Sequence, residues 1–247
     1  MLSLPTLPSN LQANLAAIHE RITKAARAAR RDPSSVRLVA VSKTFPASTI
    51  AAAAHSGQRA FGENHVQEAV SKMDQLAGSG LDLEWHFIGP IQSNKTRWLA
   101  ERFDWVQSVD RVKIAERMSA QRPVDRSPLN VLLQVNISGE ASKGGVAAKQ
   151  LLELADAVIA LPRLRVRGLM AVPGPETTFE RQRAAFDNIK RLFDELQAHC
   201  AGSRGGPGSH FDVLSIGMSS DLEAAIAEGS TMVRIGSAIF GARQTHR

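Results

Sequence analysis

The chain has 247 residues and a formal charge of +6, with 43% hydrophobic and 22% charged residues, which suits one barrel-sized domain or two small ones. Its apolar runs fall far short of the roughly 20 residues that a membrane span needs, and the N-terminus MLSLPTLPSN does not resemble a secretory signal. One cysteine, Cys200, excludes an internal disulfide, and no Cys/His cluster has the spacing of a zinc site. Basic and acidic residues are interspersed and only 5% of residues are aromatic, so we expect a cytoplasmic protein without a metal, membrane or nucleic-acid partner.

Short apolar runs alternate with longer segments of helical periodicity, which is typical of a parallel sheet connected by helices. An opening helix is predicted near Leu11 to Arg30. The predicted strands that follow it are Arg37–Ser42, Arg59–Gly62, Glu84–Ile88, Trp105–Ser108, Asn130–Asn136, Arg165–Ala171, Asp212–Ile216 and Met232–Ile235.

A segment with helical spacing follows each of the first seven strands. These segments are Pro46–Ser56, Val66–Leu76, Lys95–Arg102, Val112–Gln121, Ala147–Ala160, Phe179–Ala198 and Leu222–Glu228. Eight strands alternating with helices predict an α/β protein, a single closed (β/α)8 TIM-type barrel with an extra N-terminal helix. The alternative is an open doubly wound sheet, but such sheets usually carry a glycine-rich phosphate turn after the first strand, where this chain has SKTFP.

We expect one domain over residues 1–247. The stretch AGSRGGPGSH, residues 201–210, is rich in glycine and predicts a flexible loop. It joins the sixth of these helices to the seventh strand, so it is not expected to separate two domains.

In a β/α barrel the active site lies at the C-terminal ends of the strands, and Lys43 ends the run RLVAVSK of the first strand. With a reference pKa of about 10.4, a solvated lysine is neutral in only about 0.1% of molecules near physiological pH. Desolvation at the mouth of an apolar barrel lowers that pKa and makes Schiff-base formation possible. The alternative is a lysine whose ammonium simply extends from a strand end to water.

The seventh and eighth strands end in residues suited to phosphate. The run SIGM closes the seventh strand with Met218, and Ser219, Ser220 and a helix start follow it, where hydroxyl and N–H groups attract anions. The eighth gives VRIGSAIFG, in which Gly236 permits close backbone approach and Ser237 adds a hydroxyl. Barrels frequently bind phosphate with these two loops. Taken singly, serines that cap a helix and a glycine that relieves packing remain the alternatives.

Closure of a barrel makes its first and last strands neighbours, so Lys43 and the phosphate loops are expected to face one site. An amine beside a phosphate site suits pyridoxal 5′-phosphate (PLP). It equally suits a Schiff-base aldolase that acts on a sugar phosphate. The residues alone leave both possibilities open.

Longer motifs are more specific. They are AVSKTFP, FGENHVQEA, WHFIGPIQSNK, SVD, QVNISGEASKGG, RGLMAVP and GMSSDLEAAIAEGSTMVRIGSAIFGAR. Together they resemble the YggS/PROSC family of pyridoxal phosphate homeostasis proteins, and the resemblance runs from about residue 10 to Arg243. The resemblance implies a barrel like the N-terminal domain of alanine racemase, the PLP fold type III.

The resemblance also implies roles for individual residues. PLP would be held as a covalent aldimine on Lys43, with Asn64 beside the cofactor and Arg234 facing the pyridine nitrogen. The phosphate contacts would come from Ser219, Gly236 and Ser237, and further cofactor contacts from Met218 and Ser220.

Arg234 has a chemical consequence of its own. A guanidinium is protonated and can only donate, so it would leave the pyridine nitrogen unprotonated and the ring a weaker electron sink. That suits a carrier better than a strong carbanion catalyst, although racemases manage with it. The alternative for Arg234 is an ion pair in the barrel or at its surface. His86 could be a core histidine or a site residue, and Lys95 and Lys143 could be surface lysines or secondary cofactor acceptors.

The resemblance implies a protein that binds PLP as a Schiff base and takes part in intracellular PLP homeostasis and delivery to apoenzymes, without efficient catalysis. We expect it to be a monomer. The alternative is a PLP-dependent amino-acid racemase or decarboxylase. A two-base racemase needs an acid or base on each face of the substrate α-carbon. In the alanine racemase pattern the second base is a tyrosine, and this sequence contains none. A sugar-phosphate aldolase remains only if PLP is absent.

Overall fold

The central strands are short apolar runs buried on both faces, as expected where helices cover the outside of a closed sheet and side chains fill its inside. The computed structural model describes residues 10–137, 144–201 and 210–241. Its barrel strands are β1 Arg37–Val41, β2 Ala60–Glu63, β3 Glu84–Phe87, β4 Trp105–Val109, β5 Leu129–Asn136, β6 Leu164–Met170, β7 Val213–Ser215 and β8 Met232–Ile235.

Each strand pairs in parallel with the next one along the chain. The ring closes because β8 also pairs with β1, with Arg234 opposite Val39 and Ile235 opposite Ala40. The predicted eight-stranded barrel is therefore confirmed, and the open doubly wound alternative is wrong because such a sheet leaves two unpaired edges. An additional two-residue strand, Val146–Ala147, pairs with the end of β5 outside the ring.

The helices lie outside the barrel. Within the described residues they are α1 Leu11–Ala28, α2 Ala47–His55, α3 Val66–Leu76, α4 Thr96–Arg102, α5 Val112–Gln121, α6 Leu151–Ile159, α7 Phe179–Ala201, α8 Leu222–Ala227 and α9 Ser237–Phe240. None of these described helices is both long and apolar enough to cross a bilayer.

The predicted elements match these bounds within a few residues, with one larger correction. The helix predicted over Ala147–Ala160 begins at Leu151, because Val146–Ala147 is extended and Ala148–Gln150 forms a 3-10 turn. Most of the loop predicted at 201–210 lies outside the described residues, as does Lys143.

Helix α1 repeats its buried apolar residues at helical spacing, which packs one face of it against α8 and α9. The side chains on that face are Leu11, Leu15, Ile18, Ile22 and Ala26. This extra helix therefore braces the loops that follow β7 and β8. The interior of the barrel is filled by the side chains of Val39, Ala60, Trp105, Leu132, Met170, Val213 and Met232.

Candidate functional site

A cavity of about 470 Å³ opens at the C-terminal end of the strands, the end at which barrels bind their ligands. Its volume lies within the range of about 300–1,000 Å³ that is typical of small-molecule sites. The residues predicted to contact a cofactor all line it, namely Lys43, Asn64, Met218, Ser219, Ser220, Arg234, Gly236 and Ser237. Residues from the ends of four different strands therefore converge on one space.

Lys43 lies just beyond the end of β1, where the chain turns out of the barrel. Its side chain is half-buried and lines the cavity together with Val41, Phe45 and Ile88. These apolar groups exclude water from part of the space around the amine, which is a setting in which lysines act as Schiff-base nucleophiles.

The loop after β7 is supported by helix α1. Arg21 on α1 donates to the carbonyl oxygen of Ser219 at 3.0 Å and pairs with Glu223 at 2.7 Å. The N-cap of α8 is Asp221, so the alternative that Ser219 or Ser220 only caps the helix is wrong. Within the described residues, the N–H and hydroxyl groups of these two serines have no hydrogen-bond partner. They remain available to an anion in the cavity.

The loop after β8 comes close to β1. A Cβ added to Gly236 would lie 3.2 Å from the carbonyl oxygen of Val41 and 3.4 Å from its Cβ, so a side chain here would push the two strand ends apart. Ser237 follows at the start of α9 and is exposed at the cavity. A glycine therefore allows the last strand and its serine to approach the first strand.

Arg234 is the buried cation of the site. Its Nη1 donates to the carbonyl oxygen of Ser215 at 2.7 Å and to the Ser215 hydroxyl at 2.6 Å, and its Nη2 donates to the carbonyl oxygen of Ala171 at 3.0 Å. Burial lowers the pKa of Arg234 to about 10, which leaves it protonated at neutral pH. No carboxylate in the described ranges pairs with it within 4.0 Å, so the ion-pair alternative is wrong there.

A chain of hydrogen bonds leads from Arg234 through the barrel. The Ser215 hydroxyl donates to Gln107 Oε1 at 2.7 Å, and Gln107 Nε2 donates to His86 Nδ1 at 2.9 Å. His86 Nε2 therefore carries the proton and donates to Glu84 at 2.5 Å, and Arg37 pairs with Glu84 at 2.8 Å. We refer to these residues as the Arg234 chain: Arg234, Ser215, Gln107, His86, Glu84 and Arg37.

The protonation states of this chain follow from its surroundings. Burial lowers the pKa of His86 against the opposing effect of Glu84, which keeps the ring neutral. Burial raises the pKa of Glu84, but the hydrogen bond from His86 and the charge and hydrogen bond of Arg37 outweigh this effect and lower the pKa to about 2. His86 is fully buried and does not line the cavity, so it is a core histidine.

Asn64 carries an unsatisfied polar atom. Its Oδ1 is buried and has no hydrogen-bond partner in the described residues, while the side chain lines the cavity. A buried polar atom without a partner costs about 1–3 kcal/mol. A polar ligand in the cavity would satisfy it, so this residue fits a bound cofactor.

The other residues singled out from the sequence lie elsewhere. Lys95 ends a 3-10 turn and does not line the cavity. Cys200 is buried beside α6, and burial raises the pKa of its thiol. Within the described ranges, no group of three or more His, Cys, Asp or Glu side chains is placed to hold a metal ion.

Sequence reasoning missed the polar residues beneath the cavity. Ser215 and Gln107 gave no signal, because each is a single polar residue within an apolar strand. Lys72 did give one. It lies on α3 between Ala69 and Met73, which are both buried, so it occupies a position of the helix that faces the core.

A family model described as the N-terminal domain of alanine racemase matches residues 13–244. The structure of PipY from Synechococcus elongatus with PLP bound aligns with a TM-score of 0.80 and 36% sequence identity, covering 94% of this chain and 100% of that one. Together, the fold and the position of the cavity define a barrel of the alanine racemase N-terminal class.

Curated relatives narrow this class. The pyridoxal phosphate homeostasis protein of Pseudomonas aeruginosa is 54% identical over 235 residues, which is 95% of this chain and 96% of that protein. The Escherichia coli protein of the same description is 53% identical over 231 residues, covering 93% of this chain and 95% of the relative. The chain belongs to the family of pyridoxal phosphate homeostasis proteins, and the resemblance found in the sequence is confirmed.

Proposed function

We propose that this protein binds PLP as a Schiff base on Lys43 and takes part in PLP homeostasis by holding the cofactor and passing it on, without efficient catalysis of its own. The observation that carries the proposal is the convergence of an amine, two phosphate-type loops and a buried arginine on one cavity. The PLP-bound structure of PipY and the names of the relatives support PLP as the ligand.

Lys43 would supply the covalent attachment. Its Nζ, once deprotonated, attacks the aldehyde carbon, and water leaves as the carbon–nitrogen double bond forms. The step is reversible, because water or another amine can attack the same carbon. A site of this kind can therefore retain PLP and still release it to an apoenzyme, whose own lysine competes for the aldehyde.

The phosphate would be held by the two loops. Ser219 and Ser220 offer N–H and hydroxyl donors, and Ser237 offers a further hydroxyl from the loop after β8. Arg21 binds the carbonyl oxygen of Ser219 and pairs with Glu223, so it supports the loop without using these donors. This arrangement matches the way in which backbone nests bind anions.

Arg234 would face the pyridine nitrogen. Among the residues that the structure describes, Ser215 and Ala171 use three of its five N–H groups, and the other two would be available to a ligand. A guanidinium that only donates keeps that nitrogen unprotonated, and the bound ring supplies a weak electron sink. This supports a carrier over an enzyme that depends on a stabilised carbanion.

The lining of the cavity also supports a carrier. Among its described residues, the ionisable side chains are Lys43 and Arg234. A racemase needs a second acid or base opposite the lysine, and the chain has no tyrosine to supply one. The racemase alternative therefore lacks a second acid or base among the described residues of the cavity.

The proposal is tested first by spectroscopy and mapping. Purified protein mixed with PLP should develop a visible absorption band that borohydride abolishes, and peptide mapping should place the reduced adduct on Lys43. Lys43→Ala should lose the covalent adduct. A protein that takes up no PLP, or an adduct that forms mainly on another lysine in the wild type, would contradict the proposal.

Delivery and assembly need separate tests. We propose that the protein works as a cytoplasmic monomer and serves PLP-dependent apoenzymes. PLP-loaded protein should restore activity to such an apoenzyme in proportion to the PLP lost, and light scattering should report the mass of one chain. Amino acids incubated with loaded protein should show no α-deuterium exchange near the enzymatic rate of about 10 s⁻¹.

A further inference from the structure

A group of buried charges lies directly behind the turn that carries Lys43. Lys72 on α3 reaches across to the end of β1, and its Nζ donates to the carbonyl oxygen of Ser42 at 2.9 Å. The same Nζ pairs with Glu63 at 2.7 Å and with Glu68 at 2.6 Å. The side chain of Lys72 is only 6% exposed and that of Glu63 is fully buried. We refer to Ser42, Glu63, Glu68 and Lys72 as the Lys72 cluster.

The cluster holds the main chain on both sides of Lys43. On one side, Lys72 binds the Ser42 carbonyl and the Ser42 hydroxyl donates to Glu63 at 2.6 Å. On the other side, the Thr44 N–H donates to Glu68 Oε1 at 2.5 Å. One cation therefore joins the two carboxylates that hold the residues before and after the cavity lysine.

The turn itself needs such support. Thr44 has φ of 71°, a left-handed conformation that is costly for a β-branched residue. Strained residues of this kind persist only where the surroundings over-determine them. Two hydrogen bonds hold this conformation: the Thr44 N–H donates to Glu68, and the Phe45 N–H donates to the carbonyl oxygen of Ser42 at 3.1 Å across the turn.

Stability alone does not account for the cluster. Buried ion pairs are often no more stabilising than apolar side chains of the same volume. Glu63 also keeps one buried oxygen, Oε2, without a hydrogen-bond partner in the described residues. What the cluster provides, and apolar packing would not, is a fixed direction for a carbonyl and an N–H group on a turn.

We propose that Lys72, Glu63 and Glu68 are positioning residues that fix the turn so that the Lys43 amine enters the cavity in the orientation needed to attack an aldehyde. This inference rests on the proposed Schiff-base function. A base or nucleophile held in place reacts faster than one that must first be ordered. The cluster should therefore affect the rate of Schiff-base formation more than the affinity of the cavity for a phosphorylated ring.

The test uses Glu68, because its half-exposed side chain can be changed without leaving a cavity in the core. Glu68→Ala removes the acceptor of the Thr44 N–H, whereas Glu68→Gln keeps an acceptor oxygen and removes the charge. Glu20→Ala is the matched control, because Glu20 forms the same i,i+4 pair with Lys24 at 2.6 Å on an exposed face of α1.

Three measurements separate positioning from general loosening. Hydrogen exchange of the backbone amides from 42 to 45 reports the turn without any ligand. Stopped-flow absorbance reports the rate of Schiff-base formation with PLP. Titration with pyridoxine 5′-phosphate, which has the ring and phosphate but no aldehyde, reports non-covalent binding in the same cavity.

In Glu68→Ala we expect hydrogen exchange of the Thr44 amide to become about tenfold faster or more. We expect Schiff-base formation to become slower by a similar factor. The affinity for pyridoxine 5′-phosphate should stay within about twofold. Glu68→Gln should lie close to the wild type in all three measurements, and Glu20→Ala should match it.

Unchanged exchange at Thr44, or faster exchange with an unchanged reaction rate, would overturn the positioning role and leave the proposed function intact. An equal loss of both rate and affinity would overturn it as well, since it would indicate loosening of the whole cavity. A wild type that forms no Schiff base would overturn the proposed function, and the positioning role with it.

Discussion

One buried cation, Lys72, lies behind the turn that carries Lys43, another, Arg234, lines the cavity, and the two are held in different ways. Lys72 is enclosed by the carboxylates of Glu63 and Glu68. Arg234 is held by oxygens of Ser215 and Ala171, which carry no formal charge. The charge of Lys72 is therefore neutralised within the protein and serves the backbone, whereas the charge of Arg234 remains available for a ligand.

The comparison predicts that the two cations differ most in their effect on folding. Lys72→Met would leave Glu63 buried without its cation, and breaking a buried pair in this way costs about 3–5 kcal/mol. Burial already raises the pKa of Glu63 against the opposing effect of Lys72, so the variant carboxyl should take up a proton more readily and the loss should shrink as pH falls. Urea denaturation at neutral and mildly acidic pH measures this.

Lys24→Met is the control for that variant, because Lys24 pairs with Glu20 on an exposed helix face. It should change the free energy of unfolding by less than about 1 kcal/mol. A Lys72→Met protein as stable as the control would mean that Lys72 is not essential to the buried cluster.

A substitution at Glu84 tests the end of the Arg234 chain that lies away from the cavity, where the Glu84 carboxylate accepts from His86 and pairs with Arg37. Its pKa falls from 4.5 to about 2 in the folded protein. A lowered pKa contributes stability above the unfolded value, and this contribution is lost as pH falls from about 4.5 towards 2. At about 1.36 kcal/mol per unit, Glu84→Gln should therefore lose up to about 3 kcal/mol at neutral pH.

Thermal unfolding measured between about pH 2 and pH 7 checks the direction in which the stability contribution of Glu84 changes with pH. The difference between Glu84→Gln and wild type should vanish near the pH at which Glu84 is protonated. A difference that grows as pH falls would contradict the assignment of Glu84 as the anionic end of the chain.

Arg234→Met tests whether the second buried cation serves ligand binding rather than folding. Losing a charged hydrogen bond to a bound cofactor costs about 1.5–3 kcal/mol, or roughly ten- to a hundredfold in PLP affinity. The folded protein loses no carboxylate partner, so its free energy of unfolding without PLP should change far less than in Lys72→Met. Fluorescence titration and urea denaturation of the same preparation provide both values.

Arg167→Met provides the matched control for Arg234, because Arg167 pairs with Asp212 and does not line the cavity. It should leave PLP affinity unchanged. If both variants retain PLP equally well, Arg234 is not a cofactor contact.

Thr44→Gly should have the smallest effect. A left-handed conformation costs a residue with a Cβ about 1–2 kcal/mol, and glycine's extra freedom in the unfolded chain returns part of the difference. We expect a gain of about 0.5–1 kcal/mol in the free energy of unfolding. Arg30→Gly is the matched control, since Arg30 is the other described non-glycine residue with a positive φ, at 55°, and lies away from the cavity.

The fold was largely predictable because strands and helices of this barrel are local patterns. The apolar runs that became β1 to β8 are separated by amphipathic segments, and α3 and α5 match their predicted bounds. One α-helix and one strand were missed. Helix α9 is a single turn, and the strand Val146–Ala147 exists only because β5 offers it a partner, so neither has a period that can be detected.

The cavity residues were predictable for a different reason, since each one follows or ends a strand. Barrel topology then brings strand ends together whatever their separation along the chain. What could not be predicted was how each side chain is held. The contact between Lys72 and Ser42 spans 30 residues, and the one between Gln107 and Ser215 spans 108, distances over which sequence periodicity carries no information.

The pairing of β1 with β8 affects when, during synthesis and folding, the chain can first bind its cofactor. Lys43 belongs to the first strand, whereas Arg234, Gly236 and Ser237 belong to the last strand or follow it directly. A nascent chain that has not yet released β8 would have the amine and the serines after β7, but not Arg234 for the pyridine nitrogen or Gly236 and Ser237 for the phosphate. Cofactor capture should thus begin only when the ring is complete. Ligand binding stabilises the closed state by mass action. Bound PLP would therefore link the first strand to the last and oppose opening of the barrel between them.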